Sequence, residues 1–411
     1  MNIVEDLYQL QVELFNDTRY SGNSTFIDGE NTALEHFQAL YTDDLKFNLR
    51  LSDDIIFNPD EKFYFIGLLS YIKVKDIVKQ YSIDSNFLKK IKELLKEDNF
   101  RLVLLDVHES YNHEEVKTLF NLFDDGHEKI IFINNDSNLK NLNHTPYVKT
   151  LKTNFLWNNE VSLVDSKIFT SAWNEEKRNK MFLCNNKEGK EHRFLIISLL
   201  DMYGLLDNTN YSFLKKPQVD KDFNGLKDFR IKDFKDLENY LKINYNRLQK
   251  PKVSDFEIHS DGFKNVENLI ETNHNFAGEV NTDDYKNSYI NIVTESVYWH
   301  NAIHITEKSY KPFHLGILPI FVASHNHVKT LRDDYSLDLF DDFINHDYDK
   351  ELDNTKRLKM IIEECLRLSK LENEIIDFYK NNKDRFLTNK KKISDSKKQK
   401  DNHVVDTILK F

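Results

Sequence analysis

Residues Tyr289–Val322 read YINIVTESVYWHNAIHITEKSYKPFHLGILPIFV, and their order decides the fold class. Tyr289–Val293 is β-branched and aromatic, which favours a strand. The strand runs out into Thr294-Glu295-Ser296. After a short loop, Thr306, Glu307 and Lys308 open a segment of helical period, which Gly316 closes. Ile317–Val322 is apolar again and reads as a buried strand. Strand, crossover and strand make a parallel βαβ unit, and such units take ligands at the carboxyl ends of their strands. Glu295, Thr306, Glu307 and Lys308 all fall at that edge. An acid there can hold ribose hydroxyls, and a lysine beside free helix N–H groups can hold a phosphate. Pro312 removes one hydrogen bond inside the helix, so a kink or a late start is expected.

A second candidate strand lies upstream. Lys180–Cys184 (KMFLC) is followed by Asn185-Asn186-Lys187-Glu188-Gly189-Lys190-Glu191-His192-Arg193 and then by a helical run, Phe194–Leu206. Lys187, Lys190 and Arg193 thus gather near a helix start just past a strand end. Positive side chains and free N–H groups together suit a diphosphate.

Glu295, the triplet Thr306-Glu307-Lys308, the helix after it and the strand Leu318-Pro319-Ile320-Phe321-Val322 resemble the donor-binding region of fucosyltransferase-like and exostosin-like glycosyltransferases. The resemblance covers Tyr289 to about Tyr348. It implies the GT-B architecture, an α/β fold of two facing Rossmann-like domains with parallel sheets. It also implies that Glu295 contacts the ribose of the donor, Lys308 its diphosphate, and Glu307 the donor sugar or the helix-end network. Related sequences carry an Asn-Arg-like turn and a His-Arg pair near Asn185–Arg193; this chain has Lys187 where that pattern favours Arg.

The first half alternates in the same way. Lys62–Ile66 (KFYFI), Leu102–Leu105 (LVLL) and Lys129–Ile133 (KIIFI) read as strands, and Val116–Phe123 has helical spacing. Alternating strands and helices signal a parallel sheet. Leu105 runs into Asp106-Val107-His108-Glu109, a polar strand end expected to face the cleft between domains. Transfer of a sugar with inversion needs a base for the acceptor hydroxyl, and Glu109, His108 and Asp106 are the candidates, Glu109 first. The expected domains are residues 1–170, an acceptor-side Rossmann-like domain; 171–370, the nucleotide-sugar domain; and 371–411, terminal helices and a basic tail packing back on the first.

Composition narrows the class. With 411 residues the chain can hold two cores, and 40% hydrophobic with 30% charged residues fits a globular protein. A formal net charge of -11 argues against a general nucleic-acid coat. Cys184 and Cys365, far apart in sequence, make neither a disulfide framework nor a ligand cluster. The amino terminus has no basic region of a signal peptide, and no apolar run approaches the about 18 residues that span a bilayer. A cytoplasmic enzyme of bacterial or phage type, without a membrane span, is expected. His325-Asn326-His327 invites a metal reading, but no Cys or acid stands beside it at a zinc-like spacing. No Asp-x-Asp ends an apolar strand beside the donor motif, so no essential metal and no other cofactor is expected.

The partners expected are a nucleotide-diphosphate sugar as donor and a hydroxyl-bearing acceptor glycan. A phage-type enzyme acting on hydroxymethylated bases in modified DNA is the alternative, because Lys390–Lys392 and Lys397–Lys400 form a basic tail that could meet an anionic polymer. An inactive sugar-nucleotide binding module is a further alternative.

Overall fold

The computed structural model describes residues 2–4, 48–50, 61–68, 86–106, 118, 120–134, 149–152, 177–186, 189–213, 219–220, 222–226, 229–248, 250, 282–298, 303–396 and 402–410. The fold is α/β, built on two parallel sheets. The chain divides into two compact units, Met1–Leu156 with Gln399–Phe411, and Trp157–Lys398.

The sheet of the first unit contains β1 (Asn2–Val4), β2 (Asn48–Arg50), β3 (Phe63–Leu68), β4 (Phe100–Asp106), β5 (Ile130–Asn134) and β6 (Lys149–Lys152), in the order β2-β1-β3-β4-β5-β6. Every pairing is parallel. Strands covered on both faces lose the apolar-polar alternation, and β3 and β5 obey this: Phe63, Tyr64, Phe65 and Ile66 are buried, as are Ile130–Ile133. Helix α1 (Asn86–Leu94) lies between β3 and β4 in sequence and turns Ile91 and Leu94 inward. Of the helix expected over Val116–Phe123, Thr118 and Phe120 are helical, while Val116, Lys117 and Leu119 lie outside the described residues; a 3-10 segment, Asn121–Lys129, follows. Its Asp124-Asp125-Gly126 run disfavours an α-helix. Phe120 seals it edge-on against Phe132, with ring centroids 5.5 Å apart.

The second unit opens with β7 (Lys180–Asn186), α2 (Glu191–Met202), β8 (Thr209–Phe213) and α3 (Leu237–Leu248). It continues with α4 (Thr282–Lys286), β9 (Ser288–Thr294), α5 (Glu307–Leu315), β10 (Leu318–Val322) and α6 (His327–Asp333). Helices α7 (Asn354–Leu368), α8 (Glu372–Asn381) and α9 (Lys383–Ser396) follow. The sheet order is β10-β9-β7-β8, again all parallel. The chain therefore steps from β7 out to β8, returns to lay β9 on the other side of β7, and moves outward to β10. The winding reverses between β7 and β9, and a crevice at such a reversal is where parallel sheets bind ligands. Strand β9, central in this sheet, is buried at all seven positions.

Helix α2 is apolar on nearly every face and is buried from His192 to Leu200, as expected of a helix covered all round. Arg357 on α7 is a fully interior cation. Its guanidinium donates to the carbonyls of Tyr298 (2.6 Å), Glu351 (2.7 Å) and Ala323 (3.1 Å) and lies 4.5 Å over the Tyr298 ring. It thereby fixes the chain leaving β9 and the chain leaving β10.

Helices α8 and α9 are separate because Asn382 leaves helical geometry, and its side-chain amide turns back to the Phe378 carbonyl at 2.9 Å. The helix after β10 begins at His327, because Asn326 adopts a left-handed φ of 62°. Lys390–Lys392 are part of α9, between Asn389 and Ile393, both 0% exposed; this part of the lysine run is a helical turn, not a tail. Lys397–Lys400 lie outside the described residues. Finally α10 (Asn402–Lys410) belongs to the first unit, where Lys62 Nζ donates to the Lys410 carbonyl at 3.0 Å. No helix among the described residues is long and apolar enough to cross a membrane.

Candidate functional site at the β7–β9 strand ends

The two strands flanking the reversal end in polar residues. The Thr294 hydroxyl, at the end of β9, donates to the Asn186 side-chain oxygen, at the end of β7, at 2.6 Å. Asn186 is fixed in turn by its N–H, which donates to Ser212 Oγ of β8 at 3.1 Å. One residue beyond β9 stands Glu295, 0% exposed and joined to β10 by its N–H, which donates to the Val322 carbonyl at 3.1 Å.

Glu295 is the hub of the site. Its main-chain carbonyl accepts from the first turn of α2, from His192 Nε2 at 2.9 Å and Arg193 Nη2 at 3.2 Å. Arg193 also donates to the Thr294 carbonyl at 3.3 Å. The Glu295 carboxylate serves the first turn of α5. Oε1 accepts from the Thr306 N–H (3.2 Å) and from Ser309 Oγ (2.5 Å); Oε2 accepts from Thr306 Oγ1 (2.7 Å) and from the Ser296 N–H (3.1 Å). Two helix N-termini, α2 and α5, are thus fastened to one residue at the switch of the sheet. Burial opposes the charge on Glu295, but the Lys308 ammonium and the Ser309 hydroxyl are among the groups that outweigh it and hold the carboxyl below its ordinary range.

Thr306 caps α5. Its Oγ1 accepts from the Lys308 N–H, while its proton goes to Glu295. Such a cap satisfies one of the orphan donors of the first turn. Lys308 folds its Nζ back onto Thr306 Oγ1 (3.2 Å) and Glu307 Oε1 (2.7 Å). Its side chain is 31% exposed, against 11% for Glu307. Burial lowers the Lys308 ammonium, but the carboxylates of Glu307 and Glu295 more than reverse this, and the group stays protonated with its pKa raised. The helix begins at Glu307 and continues through Pro312, so the late start does not occur; Gly316 closes it at a φ of 68°.

Helix α2 supplies the other wall. Its N-cap, Lys190, offers no side-chain acceptor to the first turn, and its ammonium donates instead to the Ser296 carbonyl at 2.9 Å. His192 stacks on Tyr298 with centroids 5.5 Å apart and planes 9° from parallel. Burial, then Arg193, push its imidazole well below the ordinary histidine range, so it is neutral.

Of the residues singled out from sequence, Arg193, Glu295, Thr306, Glu307 and Lys308 come together here. The Arg193 guanidinium is buried and spent partly on strand-end carbonyls, and the Glu295 carboxylate is inside the protein with its acceptor positions filled. Lys187, His108 and Glu109 lie outside the described residues. Asp106 is the last residue of β4, opposite Asn134 of β5. Sequence reasoning missed Asn186, Ser309 and His327. Ser309 follows Thr306 by three residues, which puts both on one face of a helix, and that spacing was the available signal. Asp347-Tyr348-Asp349 spells an Asp-x-Asp, but Asp349 caps α6, accepting from the N–H groups of Val328 and Lys329 at 2.9 Å each. Among the described residues no group of three or more His, Cys, Asp or Glu is placed to hold a metal ion.

Comparisons with family models, with curated proteins and with solved structures returned no match.

Proposed function

We propose that the chain is a glycosyltransferase of the GT-B type, with two Rossmann-like units, that takes its sugar from a nucleotide-diphosphate donor. One observation carries the reading: Thr306-Glu307-Lys308 opens a helix beside the β7–β9 reversal of a parallel sheet, against the first turn of a second helix bearing Lys190 and Arg193. Helix N-termini and cations concentrated at one sheet edge suit a diphosphate. Lys190 and Lys308 are both half-buried, Lys190 with its ammonium on the Ser296 carbonyl, and Lys308, at the α5 turn, receives the diphosphate. Glu307, already paired to it, takes donor hydroxyls. Glu295, wholly interior, acts on the donor through Thr306 rather than by touching the ribose.

As the sugar leaves the diphosphate, negative charge grows on the leaving oxygens. Lys308 and the first-turn N–H groups answer that charge without having to rearrange. The acceptor hydroxyl loses its proton to a base, and Glu109, with His108 and Asp106 beside it in sequence, is the proposed one. The proposed acceptor is a glycan hydroxyl.

The test is a thermal-shift and calorimetric screen of the full chain against GDP-, UDP-, ADP- and CMP-linked sugars. Saturable binding of one diphosphate sugar, competed by its nucleoside diphosphate, is the expected result. Failure of all of them to bind would remove the proposal.

A further inference from the structure

The proton on the Ser309 hydroxyl can be placed by elimination. Ser309 Oγ lies 2.5 Å from Glu295 Oε1 and 2.8 Å from His327 Nε2. An ionised carboxylate only accepts, so the single hydroxyl proton goes to Glu295. His327 Nε2 must then carry a proton and donate it to Ser309. Its Nδ1 is left with a bare lone pair, and Nδ1 is buried with no hydrogen-bond partner. The ring is 1% exposed and sits 5.3 Å from the Phe321 ring. The opposite tautomer would bury an N–H without a partner and take from Glu295 its shortest hydrogen bond; both changes are costly. Burial also pushes the imidazole down to about 4, against the pull of Glu295.

This chain of donors ends at the ammonium proposed above to hold the diphosphate. His327 donates to Ser309, and Ser309 donates to Oε1 of Glu295. Oε2 holds the Thr306 proton, which leaves the Thr306 lone pairs for the N–H and Nζ of Lys308 at 3.3 and 3.2 Å. Without the Ser309 proton, Oε1 keeps only the longer bond from the Thr306 N–H. A carboxylate held more weakly at that oxygen swings more freely, and the Thr306 hydroxyl swings with it.

We propose that His327 is a positioning residue: its Nε2–H turns Ser309 toward Glu295 and so sets, through Thr306, where the Lys308 ammonium meets a diphosphate. The assignment rests on the reading of the α5 turn as a diphosphate site. The α6 turn that carries His327 is itself fixed by Asp349, which accepts from the N–H groups of Val328 and Lys329.

Nitrogen-15 NMR of the full chain, labelled at histidine and lysine, tests it together with calorimetry using inorganic pyrophosphate. The parent should show His327 as the neutral Nε2–H tautomer near neutral pH. His327→Leu should weaken pyrophosphate about tenfold and shift the Lys308 titration, a loss on the scale of one hydrogen bond to a charged group. His327→Gln, which keeps an N–H donor, should restore most of both. Ser309→Ala should reproduce the loss and abolish the tautomer preference, which decides the matter if His327→Leu does not fold. An Nδ1–H tautomer in the parent, or a lowered unfolding midpoint with an unmoved Lys308 titration, overturns the proposal. A parent that ignores pyrophosphate sinks the diphosphate reading instead, and the tautomer and the lysine titration still decide whether His327 positions Lys308.

Discussion

The Thr294 hydroxyl and the Asn186 side-chain oxygen stand 2.6 Å apart, so the two strands that flank the winding reversal of the second sheet are tied side chain to side chain at their carboxyl ends. Both residues are about 2% exposed. Removing the hydroxyl while keeping the shape leaves a buried amide oxygen without its donor. Thr294→Val should cost about 1–3 kcal/mol in urea unfolding and should loosen donor binding as well. Unchanged stability would show that the tie is dispensable.

Lys308→Ala should weaken nucleoside-diphosphate binding by about 1.5–3 kcal/mol, the loss of a charged hydrogen bond, with little change in stability because the side chain is partly in solvent. Arg193→Ala should behave differently. Its guanidinium is buried against the Thr294 and Glu295 carbonyls, so the unfolding midpoint should fall together with affinity. Calorimetry beside denaturation separates the two cases; equal affinity for Lys308→Ala and the parent would move the diphosphate elsewhere.

Two carboxylates, two outcomes are expected. Glu295→Gln presents an amide N–H₂ to groups that all donate, so the first turn of α5 should lose order and the protein about 3–5 kcal/mol, the scale for breaking a buried charged network. Glu307→Gln keeps an acceptor beside Lys308 at the partly open edge of the site. It should leave stability near the parent and change affinity for the intact donor more than for pyrophosphate. The reverse pattern would exchange the roles assigned to the two.

Acid should unfold the second unit early. Burial holds His327 and His346 at about 4 and His192 well below the usual range. His346 has its donor and its acceptor already used, with Nε2 on the Leu339 carbonyl at 3.1 Å and Nδ1 taking the Tyr348 hydroxyl at 2.8 Å. Unfolded histidine binds a proton below about 6.5, and these do not until far lower. His327 and His346 each therefore contribute stability that is full above about pH 6.5 and lost as pH falls toward about 4, on the order of 3 kcal/mol for one group, and His192 acts in the same direction. Urea midpoints against pH should fall through that window. His346→Gln should be less stable at neutral pH and should flatten the acid limb; a parent midpoint constant across the window contradicts the assignment.

If Lys308 and helix N–H groups meet the leaving diphosphate as proposed, turnover should survive EDTA. Glu109→Gln should keep donor affinity and lose at least about 100-fold in rate, the low end for a general base. Rates with and without chelator, once an acceptor is found, check both. Abolition by EDTA with rescue by manganese would count against the proposed mechanism.

What could be read in the residues was what adjacent residues decide. Strands β9 and β10 are continuous apolar runs, and the Thr-Glu-Lys turn is local chemistry at a helix start. Strand β8 was not legible. Its Asn210 is 0% exposed and tolerated because Asp284 accepts its amide at 2.7 Å, from 74 residues away. Strands β1, β2 and β6 are three or four residues long, too short for a period to show. The relay through Ser309 and His327 joins positions 18 apart, on helices to either side of β10 in sequence, and only the folded chain makes them neighbours. Lys390–Lys392 looked like a solvated tail because charge hides the spacing of Asn389 and Ile393, the two residues that anchor that turn.

The first unit is assembled from both ends of the sequence, since residues 399–411 join Met1–Leu156, whereas the second unit is one uninterrupted stretch. On a ribosome, where domains fold as they emerge, the second unit has all its residues before the first does. The strands of the first sheet are made earliest yet wait longest for Lys410, whose carbonyl takes the Lys62 ammonium across 348 residues. A nascent chain halted after Lys398 should therefore carry a protease-resistant second unit beside a first one that still lacks α10, and the first should gain its own resistance only once residues 399–411 have cleared the exit tunnel.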